Sequence, residues 1–73
     1  MELVQSVDRT LTLLEVLSDY SDGLGITEIS DLVGLHKSTV HRLISTLIYK
    51  GYVVQDKESN KYKISFKLFE LGS

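Results

Sequence analysis

Between Leu35 and Lys50 the chain reads LHKSTVHRLISTLIYK, a stretch with apolar side chains at Val40, Leu43, Ile44 and Leu47 and no acidic residue. At 100° per residue these four fall on one narrow stripe, the i, i+3, i+4, i+7 spacing of a helix that turns one side inward. The opposite side then carries Ser38, Arg42, Ser45 and Tyr49, with Thr39, His41 and Thr46 on the flanks.

Every one of those outward side chains can hydrogen bond. A water-facing helix surface in a chain this rich in acids would ordinarily show Glu and Lys. Short hydroxyls with one imidazole and one guanidinium suit a surface that approaches base edges and phosphates. Arg can bond guanine through two atoms, and Ser or Thr can serve base or backbone. A plain amphipathic helix with a solvated polar side fits the same letters, so the flanking sequence has to decide.

The chain has 73 residues, enough for one domain that buries about 60% of its unfolded surface. It has no cysteine, so neither disulfides nor thiolate metal sites supplement the core. No apolar run approaches the roughly 20 residues of a membrane span, and MELVQSVDRT lacks the pattern of a signal peptide, so a cytoplasmic protein is expected. The net charge of −2 conceals a segregation. Residues 1–35 hold one Arg against seven acids, whereas residues 36–73 hold seven Lys and Arg against three acids. The basic half contains the candidate helix, which points to a polyanion met on one side of the domain.

Taken in order, Ser6 is placed to cap a first helix that starts at Val7 and runs to about Asp19. Val4, Val7, Leu11, Leu14 and Leu17 share its main apolar face. Leu13 and Val16 lie off that face, so the helix touches two things, the second being either more of the same core or another subunit. YSDGLG, residues 20–25, is a turn-rich connector. It follows a helix and lacks a GK[ST] sequence, which sets a nucleotide loop aside. Thr27 can cap a short second helix with Ile29, Leu32 and Val33 inward, and Gly34 can end it in the left-handed conformation. Only a few residues separate Gly34 from the long helix. The pair defines a helix-turn-helix over residues 26–45, with small Ser30, Gly34 and Val40 at the spacing the crossing requires.

After Gly51 the period changes. Tyr52–Gln55 is β-rich, DKESN is a turn cluster, and KYKI alternates polar with apolar, which together predict a hairpin over residues 52–64. A hairpin after a helix-turn-helix is a wing, with Lys57, Lys61, Tyr62 and Lys63 near its tip. The fold class expected is mainly α with a small β wing: a winged helix-turn-helix of three helices plus a β-hairpin, followed by the start of a C-terminal linker helix. SFKLFELGS, residues 65–73, reads as the beginning of that helix, cut from something longer.

With these stretches in hand, the chain resembles the DNA-binding domain of the isocitrate lyase regulator (IclR) family of bacterial transcription factors. The resemblance is carried by VQSVDRTLTLLEVL, ITEISDLVGLHKSTVHRLISTLIYKGYV and KYKISFKLFELG. The family pattern at the second helix pair is met by Gly34, Leu35, Lys37, Ser38, Thr39, Val40, His41, Arg42 and Leu43. The sequence departs from it at Ser30, where the family often has Ala, and at His36, where Pro is more usual. The resemblance implies a dimer that inserts residues 37–48 into the major groove. It further implies a larger effector-binding domain, absent from these residues, joined through a helix that begins near Phe66.

The expected DNA-binding domain therefore spans residues 1–65, with residues 66–73 starting the linker. The expected base-contact residues are Ser38, His41, Arg42 and Ser45. The expected phosphate contacts are Arg9, Thr27, Lys37, Thr39, Lys57, Lys61 and Tyr62. The partners expected are a double-stranded, pseudo-palindromic DNA operator and a second copy through helix one and the linker helix. Any effector ligand would bind the absent domain. No cofactor is implied. His36 and His41 stand five apart with no ligand at metal spacing, and Ser38 or Ser45 with the histidines lacks a pocket and an orienting acid, so neither a metal site nor catalysis is expected. The rival reading is a winged helix that binds another protein through helix one and the C-terminal aromatic segment, using Leu13, Val16, Phe66 and Phe69. Salt separates the two, because a DNA complex weakens steeply with salt and an apolar interface does not.

Overall fold

Gly34, at φ 71°, ends one helix in the left-handed region, and three residues later the next begins. That turn is the pivot of the fold in the computed structural model, which describes residues 1–72, the side chain of Phe69 excepted. The elements are α1 (Gln5–Ser18), α2 (Ile26–Val33), α3 (Lys37–Lys50), β1 (Val53–Gln55), β2 (Tyr62–Ile64) and α4 (Phe66–Gly72). None of the described helices is long and apolar enough to cross a membrane.

The turn between α2 and α3 is closed from α2. The Ser30 carbonyl accepts from the Gly34 N–H at 2.9 Å and the Leu35 N–H at 3.3 Å, while the Ser30 hydroxyl donates to the Leu35 carbonyl. Ser30 thus ties the two helices together as well as letting them approach. His36 has extended backbone (φ −64°, ψ 149°) and its carbonyl accepts the Val40 N–H at 3.0 Å, so α3 starts at Lys37 despite the missing proline. Gly51, at φ 86°, ends it.

β1 and β2 pair antiparallel, with Val53 opposite Ile64, Val54 opposite Lys63 and Gln55 opposite Tyr62. The connector after α1 adds an isolated bridge to β2. Leu24 and Tyr62 exchange backbone hydrogen bonds of 3.0 and 2.8 Å. Gly23 makes this approach possible: it sits at φ +90°, and a Cβ there would lie 2.8 Å from the Tyr62 carbonyl oxygen.

The core is built from Leu13 and Leu17 of α1, Leu24, Ile29 of α2, Val40, Ile44 and Leu47 of α3, Val53 of β1 and Tyr62 of β2. Two sequence expectations change at α1. The helix begins at Gln5 after Val4, with no side-chain cap, so Ser6 lies inside it; its carbonyl instead accepts from the Thr10 hydroxyl at 2.6 Å. Of the expected main face Leu17 is buried and Leu14 half-buried, but the side turned inward is centred on Leu13 and Leu17, and Val4, Val7 and Leu11 are exposed. Those two stripes lie about 120° apart on a helical wheel. α1 packs on α2 and β2, and that contact selects the stripe with Leu13. In α2, Gly25 rather than Thr27 occupies the capping position, its N–H donating to the Glu28 carboxylate at 3.0 Å. Ile29 is buried and Val33 half-buried as expected, but Leu32 is half exposed.

Candidate nucleic-acid interface

α3 is turned as its sequence demands. Val40, Ile44 and Leu47 are buried and Leu43 is half-buried. Ser38, His41, Arg42 and Ser45 are all exposed on the other side, and Tyr49 stands on that side with 87% of its surface open. The helix thus closes the fold with its aliphatic stripe and leaves its hydroxyls, imidazole and guanidinium free to meet a second molecule. Thr46 is exposed, but its hydroxyl donates to the Arg42 carbonyl at 3.2 Å, so it is engaged within the helix.

The other expected contact residues on the helices come from α1, α2 and α3. Lys37 opens α3 and is exposed, and Thr39 is half-buried beside it. Thr27 is exposed in the first turn of α2. Arg9 of α1 is half-buried and shares a depression with Asp8, Thr12, Val33 and Leu35, close to the turn between α2 and α3.

The wing presents Lys57 at its tip. The Asp56 carboxylate accepts from the Glu58 N–H at 2.9 Å and the Ser59 N–H at 3.5 Å, and Asn60 takes a positive φ of 61° to turn the chain back. The Glu58 N–H, then the Ser59 N–H, and the nearby Lys63 charge hold the Asp56 carboxyl below the usual aspartate range. Lys61 is half-buried and lines a depression with Asp19, Asp22 and Glu28, whereas Lys57 is exposed.

Tyr62 belongs elsewhere. Only 7% of it is exposed, packed in the core beneath the Leu24 rung, so it leaves the phosphate set. The sequence placed it near the wing tip because the pairing with Leu24 spans residues far apart in the chain. Of the residues named for the protein-binding reading, Leu13 is fully buried and Val16 half-buried. Phe66 is exposed, and the side chain of Phe69 lies outside the described residues.

A tight helix pair, an outward polar face on its second helix and a short β-hairpin after it define a winged helix-turn-helix. Residues 6–57 match the IclR helix-turn-helix domain, and the chain belongs to that family. It is 44% identical over 72 residues to the HTH-type transcriptional regulator XynR of Escherichia coli K12, covering 99% of this chain and 29% of that protein. It is 41% identical over 68 residues to the DNA-binding transcriptional repressor YiaJ of the same organism, covering 93% of this chain and 24% of that one. The crystal structure of an IclR transcriptional regulator from Alicyclobacillus acidocaldarius superposes with a TM-score of 0.90 at 30% identity, over 97% of this chain and 29% of that one. An IclR family regulator from Brucella abortus gives 0.86 at 35% identity, over 97% and 27%. This chain therefore spans less than a third of the length of the regulators it matches.

Proposed function

We propose that the chain binds a double-stranded operator, setting residues 37–48 of α3 into the major groove and resting its wing on the sugar-phosphate backbone. Ser38, His41, Arg42 and Ser45 meet base edges, with Arg42 the strongest reader because a guanidinium can pair with both acceptors of guanine. Arg9, Thr27, Lys37, Thr39, Lys57 and Lys61 contact phosphate and set the register. The observation that carries this reading is the orientation of α3, whose aliphatic stripe is turned inward while every proposed base reader stands open.

A second copy pairs with the first through α1 and the linker helix α4, so two recognition helices address a pseudo-palindromic site. The exposed row of Leu3, Val4, Val7 and Leu11 supports this, because these side chains are left unpacked by the domain itself. α4 leads to an effector-binding domain in a longer cytoplasmic regulator. The test is selection of bound duplexes from a random pool. A recovered motif with two symmetric half-sites supports the reading, and a pool that never converges on a sequence overturns it.

A further inference from the structure

α3 is longer than its four proposed base readers require. Its 14 residues span about 21 Å at 1.5 Å each, and Tyr49 stands seven residues beyond Arg42, about 10.5 Å further along the axis. Ser38, Arg42, Ser45 and Tyr49 follow an i, i+4, i+7, i+11 spacing, so Tyr49 continues the row of proposed base readers. At 87% exposure its ring adds nothing to the packing of the domain.

The end of the helix that carries it is firmly held. The Gly51 N–H donates to the Ile48 carbonyl at 2.9 Å and the Tyr52 N–H to the Leu47 carbonyl at 2.9 Å. From α4 the Lys67 ammonium donates to the Lys50 carbonyl at 2.8 Å, and the Ser65 hydroxyl just before it donates to the Gly51 carbonyl at 2.5 Å. The Tyr49 backbone is thus fixed, and its side chain has only two torsions to settle.

A straight helix seated in a curved groove about 12 Å wide approaches the floor over part of its length and meets the strand wall at its end. At that end the base edges are out of reach, and the nearest acceptors are phosphate oxygens. We infer that Tyr49 is an anchoring residue whose phenol hydroxyl donates a hydrogen bond to a phosphate oxygen where α3 leaves the groove. The inference rests on the DNA reading above and adds to it an anchor at the far end of the helix.

The test compares the wild-type chain with Tyr49→Phe, Tyr49→Ala and Arg42→Ala, titrated by fluorescence anisotropy against a duplex recovered by the selection and a random duplex. Circular dichroism checks that each variant is folded. Tyr49→Phe removes one oxygen from an exposed site and should weaken both duplexes by about tenfold or more, the size of one hydrogen bond to a charged acceptor. The ratio between duplexes should hold, and the salt slope should stay as in the wild type because no charge is removed. Wild-type affinity in Tyr49→Phe overturns the inference, as does a loss seen only in Tyr49→Ala, which would locate the interaction in the ring. A loss confined to the selected duplex overturns it by making Tyr49 a base reader. If the wild-type chain binds neither duplex, the DNA reading itself fails and this anchor fails with it.

Discussion

The Lys67 ammonium reaches back from α4 to the Lys50 carbonyl at 2.8 Å, placing a cation on the negative end of the recognition helix. Lys67 also lies 5.2 Å from the centroid of the Tyr52 ring, so its stem and charge are held between the helix end and an aromatic face. Replacing it with Gln keeps much of the length and removes the charge. Lys67→Gln should lower stability by about 0.5–1 kcal/mol, and Lys67→Arg by less, as read from urea denaturation midpoints. Equal midpoints for wild type and Lys67→Gln would show that the pair contributes nothing in solution.

The two apolar stripes of α1 respond differently to truncation. Leu13 is fully buried in the core, so Leu13→Ala should cost about 2–5 kcal/mol and bring the domain close to unfolding at room temperature. Leu11 is half exposed, and Leu11→Ala should change stability by about 0.5 kcal/mol or less. Leu11→Glu should leave the circular dichroism unchanged while moving any dimer seen by sedimentation toward monomer. A Leu11→Glu chain that still dimerises would place the subunit interface elsewhere.

That contrast shows how far the sequence could be read. Periodicity located every helix, because an apolar stripe at 3.6-residue spacing is a local property of the chain. For α3 it also settled the orientation, since only one stripe is apolar. α1 carries two such stripes, and nothing in its own letters says which one its neighbours cover. The Leu24–Tyr62 rung is likewise nonlocal, and its single local trace is Gly23, whose positive φ and missing Cβ admit the Tyr62 carbonyl. The exposed polar face of α3 was the most legible part because its exposure follows directly from the pattern of that helix. The tie from Lys67 to Lys50 was not, as it depends on how α4 folds back over residues 17 positions away.

Arg42 and Lys57 should separate base reading from backbone attraction. Arg42→Ala should cost about 1–3 kcal/mol on the selected site, relax the preference at one base pair and leave random duplexes nearly untouched. Lys57→Ala should weaken every duplex similarly and reduce the slope of log K against log salt by about 0.9, the signature of one phosphate no longer neutralised. Lys61→Ala should flatten the slope less, because Lys61 is half-buried where Lys57 is exposed. Parallel titrations at several salt concentrations distinguish these outcomes. Equal losses on selected and random duplexes for Arg42→Ala would remove it from the base readers.

The wing has its own dependence on pH. The Asp56 carboxyl is held below its ordinary value of about 3.9 by the N–H groups of Glu58 and Ser59, so it binds its proton less readily in the folded chain than in the unfolded one. The stabilisation this gives the turn is therefore complete above about pH 4 and is lost as pH falls through the depressed value. Followed by NMR, the Glu58 amide should titrate with a midpoint below about 3.9, and a midpoint at or above it would mean the carboxylate is not engaged. Asp56→Asn keeps one side-chain oxygen to accept those N–H groups and should preserve the turn better than Asp56→Ala. In Asp56→Ala the Lys57 side chain loses its fixed platform, so affinity should fall alike on all duplexes, with the base preferences set by α3 unchanged.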